Sequence, residues 1–369
     1  MAVYRIFPSK DSSIYSQNPV SNTGKDEILE IAGYMDSAGV GRATRSVLYF
    51  DTSEINHIVN NIIGESPISA SLRLFLAEAS DIPLDFNIIC FPLSQSWDEG
   101  KGKFGDVPID NSGVSWRYTL TGESTPWTVS NYDNNVTGSY VLGQAGGGCW
   151  IYRSGSISLS SSINLTSTSD LDLDIDISNI VEHIYSSSIQ NKGIILKLDN
   201  DIEFNTTSSV NLKYFSSNTN TIYPPVLEFK WDDTTYSTGS LNVLNSSNNV
   251  IIVNNLKNKY FSSQDKIRFR LNARPKFPVR TFTTGSSYLV NYALPTSSYW
   301  GLKDEYSNEM TIDFSNFTKI SCDSTGPFFD MYTNTLQPER YYRLLVKTEI
   351  DGSSQVVDTA NIFKLVING

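Results

Sequence analysis

Short runs in which every second residue is apolar recur along this chain, and they constrain its fold more than any other feature. Ala70, Leu72 and Leu74 alternate with Ser71, Arg73 and Phe75, and the alternation continues to Leu76. Ile194, Leu196 and Leu198 alternate with Ile195 and Lys197, and Ile267, Phe269 and Leu271 sit between Lys266, Arg268 and Arg270. A period of two turns one face of a strand toward a core and the other toward solvent or a partner. Clusters of Gly, Asn, Asp and Ser interrupt the runs every ten or so residues, the rhythm of a sandwich or jelly roll. The expected class is all-β.

Two segments depart from that rhythm. Ile55, Ile58, Val59, Ile62 and Ile63 recur at helical spacing behind the caps Asp51, Thr52 and Ser53, and Gly64 closes the run. Ile177, Ile180, Val181, Ile184 and Tyr185 repeat the spacing. Two short helices are therefore expected in the first half. A boundary is expected near Tyr223-Pro224-Pro225 and Trp231-Asp232-Asp233, because Pro-Pro disfavours continued pairing, and Thr234–Ser240 reads as a linker. This predicts a jelly-roll-like sandwich over residues 1–230 and an Ig-like sandwich over 231–369. In the latter, strands are expected at Val250–Val253, Lys266–Leu271, Met310–Phe314 and Tyr341–Val346.

The side-chain inventory narrows the function. The 369 residues include only 2 His and 3 Cys, against 20 Tyr, 18 Phe and 6 Trp. Metal, thiol and general-base chemistry draw first on His and Cys, so no catalytic residue, metal or cofactor is assigned. His57 and His183 fall in the helical segments without a metalloprotease or triad context. Cys90, Cys149 and Cys322 are odd in number and far apart, which points to folding in a reducing cytoplasm. A net charge of −11 opposes nucleic-acid binding. The opening residues lack a secretory-signal pattern and no run reaches the ~18 apolar residues of a membrane helix, so membrane insertion is not expected.

Several constellations merit a chemical reading. Asp170, Asp172, Asp174 and Asp176 alternate with aliphatics, but a straight carboxylate row does not converge on a cation by itself. Gly143–Trp150 lacks the Lys-Ser/Thr ending of a phosphate loop and reads as a glycine turn that lets Trp150 pack. Trp97-Asp98-Glu99 and Trp231-Asp232-Asp233 set rings beside acids, as sugar sites do, though the rings suit a core equally. Lys266, Arg268, Arg270, Arg274, Lys276 and Arg280 form a basic cluster in an acidic chain; Arg268, Arg270 and Arg274 are candidates for an edge that docks an acidic neighbour, with local ion pairing as the alternative. Trp116, Trp127 and Tyr132 lie in a long polar stretch, 100–148, where an extended loop could present rings to a partner or a surface glycan.

The order of Arg45-Ser-Val-Leu-Tyr-Phe-Asp51, Ile68-Ser-Ala-Ser-Leu-Arg-Leu74, Trp97, the helix after Asp176 and Asn191-Lys-Gly-Ile-Ile-Leu196 resembles the DNRLRE-type β-sandwich module of bacterial surface proteins, over roughly residues 1–230. Further phrases are Arg274-Pro-Lys-Phe-Pro278, Leu294-Pro-Thr-Ser-Ser-Tyr-Trp300, Phe317-Thr-Lys-Ile-Ser-Cys-Asp323 and Leu336-Gln-Pro-Glu-Arg-Tyr-Tyr-Arg343. With these, most of the chain resembles virion structural proteins of T4-like contractile-tailed phages of marine cyanobacteria. That resemblance implies a non-enzymatic particle component (tail, baseplate, neck, fibre or decoration), assembled in the host cytoplasm with other virion proteins and with copies of itself. A carbohydrate-binding module of a cell-surface or host-recognition protein is the alternative.

Overall fold

Strand-forming residues and turn residues sort as the alternation requires. The computed structural model describes residues 2–83, 85–120, 125–127, 136–138, 146–203, 208–254, 256–261, 266–278, 290–350 and 352–367, and the fold is all-β and sandwich-like. The chain divides into two units that are not continuous in sequence. One comprises Ile6–Gly64 and Ser69–Glu228; the other takes Phe229–Gly369 together with Met1–Arg5 and Glu65–Ile68. Val3, near the start of the chain, lies in the apolar core of the latter.

In the 6–228 unit the strands Ser161–Thr166, Asp85–Pro92, Ile194–Leu198, Gly41–Tyr49, Ile28–Met35, Val210–Phe215 and Leu76–Ser80 follow one another across a large sheet. Lys10–Tyr15 adds antiparallel to Gly41–Tyr49. In a second, four-stranded sheet, Ser69–Leu74 pairs antiparallel with Leu173–Asp176 and buries Ala70, Leu72, Leu74, Leu173 and Ile175. The apolar run 70–76 is thus cut after Leu74, and Leu76 begins a strand of the large sheet. Ile194–Leu198 is buried at every residue, so its alternation does not mark a solvent face; it lies between two neighbours, and Lys197 points into the interior.

The first helical segment is α-helical over Thr52–His57 and widens into π-type turns over Ile58–Ile63. The Asp51 carboxylate accepts Ser53 N–H at 2.7 Å, and Gly64 ends the run with φ 68°. The second helix spans Ser178–Tyr185, buries Ile180, Val181 and Ile184, and is started by Asp176, which accepts Ser178 N–H at 2.9 Å.

The other unit is a sandwich. One sheet runs Asn249–Val253, Ile267–Pro275, Gly326–Met331, Ser321–Asp323; the other runs Lys259–Phe261, Ser353–Val366, Tyr341–Ile350, Ser298–Asp304, Met310–Ile312. Registry decides which side chains are inside. Phe269 opposite Phe329 and Ile267 opposite Met331 face the core, while Arg268 opposite Asp330 and Arg270 opposite Phe328 take the other face. Within a mainly aliphatic core the rings meet one another: Trp300 stacks on Phe329 at 4.8 Å, and Phe363 meets Tyr260, Tyr342 and Phe269 at 5.4, 5.8 and 6.2 Å. Each such side chain contributes about 1.5–3 kcal/mol by leaving water, and edge-to-face ring pairs add to that.

Candidate functional site

Among the described residues of the 6–228 unit, the most exposed apolar ones stand together on one loop. Phe104, Val107 and Ile109 are 55, 95 and 58% exposed. Their loop is held by a buried asparagine. Asn22 donates through Nδ2 to the carbonyls of Glu99 (2.7 Å) and Val114 (2.8 Å), and its Oδ1 accepts Gly102 N–H at 2.8 Å. Its own N–H donates to Asp110 O at 2.8 Å. Gly100, at φ 82°, passes so close that a Cβ there would collide with the Asn22 amide, which accounts for glycine at the neck of the loop. Nearer the tip, Asp26 accepts Phe104 N–H at 3.1 Å, Asp106 accepts Lys103 N–H at 2.8 Å, and Ser112 Oγ accepts Lys101 N–H at 2.8 Å. One side of the Phe104 ring rests on Tyr15, with centroids 4.8 Å apart. Ordering entropy for these side chains' backbone has already been lost in folding, which favours binding through them.

The aromatic candidates are elsewhere. Trp116 and Trp127 are 1% and 3% exposed and belong to the core with Trp97, Trp150 and Phe91, so the expected outward ring display is corrected for both. Tyr132 lies outside the described residues. The reason for the burial is long-range. The Arg45 guanidinium lies between the Trp116 and Trp150 rings, 4.9 and 5.4 Å from their centroids. Its Nε and Nη2 donate to the two Glu203 oxygens at 2.6 and 2.8 Å, and Nη1 donates to Gly147 O. Lys197 Nζ reaches Glu203 at 3.0 Å and donates to Leu198 O at 2.6 Å. Side chains of all three are at most 2% exposed. Burial, reinforced by Arg45, lowers the Lys197 pKa against the pull of Glu203. A Cβ on Gly147 would stand 2.6 Å from Arg45 Nη1 and 2.7 Å from the Trp116 ring. The glycine run therefore admits Arg45 and Trp116 as well as leading into Trp150, which stacks on Phe91 at 5.3 Å.

In the basic row, Lys266, Arg268 and Arg270 are paired at home. Arg268 donates to both Asp330 oxygens at 2.8 and 2.9 Å, and Arg270 to both Asp323 oxygens at 2.8 and 2.7 Å. Both guanidiniums cover the Phe328 ring, at 4.2 and 5.2 Å. Arg270 and Thr325 hold the Asp323 carboxyl far below the usual carboxylate range. Arg274 donates to Pro275 O at 3.2 Å, and Lys266 pairs with Asp330 at 3.0 Å. The expectation of a docking edge is corrected, because Ile267–Pro275 lies between two strands and is not an edge. Arg280 is outside the described residues.

The remaining candidates have local partners. Asp172 accepts Leu76 N–H at 2.7 Å, and Asp174 lies 3.8 Å from Arg73. Among the described residues no group of three or more His, Cys, Asp and Glu could hold a metal ion. His57 Nδ1 bonds Asn61 at 2.8 Å and His183 Nδ1 donates to Asn179 O at 2.8 Å, both within their helical segments. Trp231 is 2% exposed. Glu99 pairs with Lys25 and accepts the N–H of Asp11 at 3.4 Å. The Asp11 carboxyl, 1% exposed, is pushed up to about 6 by burial and by the Glu99 charge, although it accepts Ser217 N–H.

Phe104, Val107 and Ile109 were not singled out from sequence. The available signal was the spacing of Gly100, Gly102 and Gly105 with Asp106 and Asp110, a run of turn formers that leaves little room for a strand to bury the apolar residues between them. The sequence matches no protein-family model and no curated protein.

Proposed function

We propose that this chain is a non-enzymatic structural component of a phage virion (tail, baseplate, neck, fibre or decoration) that works by protein–protein assembly. The supporting observation is the pinned loop: an exposed Val, Ile and Phe offered from a backbone fixed by a buried Asn. Soluble surfaces carry single exposed apolar residues without consequence, but a cluster on a preorganised tip is the form of an interface anchor. The sequence resemblance to virion structural proteins supplies the kind of body into which the anchor fits. Many copies on a symmetric particle would strengthen a modest single contact. Other virion proteins are the partners, and assembly proceeds in the host cytoplasm.

Complete burial of Val107 and Ile109 in a partner would contribute about 1.5–3 kcal/mol each. The double substitution Val107→Asp and Ile109→Asp is therefore expected to lower incorporation into particles by at least about tenfold, with the chain still folded by circular dichroism. Undiminished incorporation overturns the reading. The carbohydrate-binding alternative loses two of its three candidate rings, since Trp116 and Trp127 are interior.

A further inference from the structure

The longest strand among the described residues, Ser353–Val366, has one side only partly covered by described strands. Tyr341–Ile350 pairs with it along nearly its whole length. On its other side Lys259–Phe261 pairs in parallel with Lys364–Val366. Among the described residues, nothing pairs with the outer edge of Ser353–Asp358. The flat portion ends beyond Asp358, where the register shifts and Ala360 takes φ 55°. Unpaired N–H and C=O groups in a row accept one kind of occupant, an extended polypeptide. Soluble proteins usually guard such an edge with lysine, proline or a covering loop. Ser353–Asp358 contains neither lysine nor proline, and its one charge, Asp358, is paired with Arg343 at 2.7 Å.

We infer that this edge joins the same edge of a second copy, antiparallel, about a two-fold axis through Val356. A two-fold axis normal to the sheet keeps each face on its own side, so opposed residues must have numbers of even sum. Centring on Val356 opposes Val356 with its counterpart, Gln355 with Val357, and Ser354 with Asp358. Val356 is 57% exposed and gains an apolar cross-strand partner. Each Ser354 hydroxyl meets an Asp358 carboxylate, and the two carboxylates are kept apart. Centring on Gln355 instead opposes Ser354 with Val356 and Ser353 with Val357, which matches neither polarity. The occupant is thus a second copy of this chain, and the five-stranded sheet continues across the axis into its twin.

This inference rests on the assembly reading for its setting, but its test does not. The full chain is examined by sedimentation equilibrium at on the order of 100 µM, since a single strand pairing is at the small end of specific interfaces. Wild type is expected to be dimeric, and Val356→Lys, which sets two ammonium groups face to face, to raise the dissociation constant at least about tenfold. Independently, Val356→Cys is expected to form a disulfide-linked dimer under mild oxidation, because directly opposed strand residues bring their Cα atoms within disulfide range. Ser354→Cys, whose counterpart is displaced along the strand, is expected not to. The native cysteines Cys90, Cys149 and Cys322 are all buried. A monomeric wild type, an unaffected Val356→Lys variant, no cross-link at 356, or equal cross-linking at 354 each overturns the inference. Dimerisation in solution by a chain whose 107/109 variant still enters particles normally would sink the assembly reading and leave the edge pairing intact.

Discussion

The two units keep their charges in opposite places. In the 6–228 unit a guanidinium, an ammonium and a carboxylate lie together in the interior, each at most 2% exposed, with two tryptophan rings closing over the guanidinium. In the other unit the interior is apolar, aliphatic side chains around a group of stacked and edge-to-face rings. Its most buried carboxylates, Asp304 and Asp330, are each bound by an arginine that reaches solvent, at 24 and 48% exposure. Burial raises the carboxyl pKa of Asp11, Asp26 and Glu30 in the first unit. For Asp304 and Asp330 burial also pushes upward, but Arg340 in one case and Arg268 with Lys266 in the other outweigh it and hold the carboxyls low. An apolar core needs only shape to be satisfied, whereas an ionic interior fails as a unit when one member is removed.

The largest expected effect breaks that ionic interior. Glu203→Gln leaves two cations without their counter-charge and is expected to destabilise the 6–228 unit by about 3–5 kcal/mol. Hydrogen exchange should show lost protection there, with amides of the sandwich core around Phe363 unchanged. Equal losses in both units would mean that the contrast has been drawn in the wrong place.

A smaller effect separates the units by pH. The Asp11 carboxyl has its folded pKa raised from 3.8 to about 6, so its contribution is complete below the ordinary value and is lost as pH rises through about 6. That rise corresponds to roughly 3 kcal/mol at most. Asp304 and Asp330 have lowered values, so their contribution is present above the ordinary value and is lost as pH falls. Asp11→Asn is expected to remove most of the decline in 6–228 stability between pH 4 and 7, read by urea unfolding, and to leave the acid sensitivity of the other unit alone. An unchanged pH profile would remove Asp11 from the account. The smallest effect belongs to the surface pairs. Arg268→Gln is expected to cost the sandwich under about 1 kcal/mol, and less still at high salt; a larger, salt-independent loss would show that its cover over Phe328 matters more than its charge.

The sandwich was the most readable part of the chain. Phe269 and Leu271 against Arg268 and Arg270 gave the faces of a strand correctly, because a two-sided strand writes its environment into alternate residues. Asp51 and Gly64 likewise marked the ends of the first helical segment. What could not be read depends on partners distant in sequence. Lys197 in Ile-Ile-Leu-Lys-Leu looks like an outward lysine, and only Glu203 and Arg45 in their folded positions make it interior. Trp116 and Trp127 sit in a polar stretch that suggests display, yet a cation contributed by residue 45 draws Trp116 inward. Phe104, Val107 and Ile109 have core-like identities, and the loop that exposes them is held by hydrogen bonds of Asn22, Asp26, Asp106 and Ser112. The basic row shows its sign in sequence, while Asp323 and Asp330, more than fifty positions away, pair with Arg270 and Arg268.

Val3 completes a core whose other members all come after residue 240. During synthesis that side chain is made before every other member of its core and must wait for the intervening chain. Cutting the molecule at residue 229 would therefore yield a C-terminal piece whose core lacks Val3, and an N-terminal piece that carries Val3 away from that core. A C-terminal piece with a complete core must therefore carry the first strand with it.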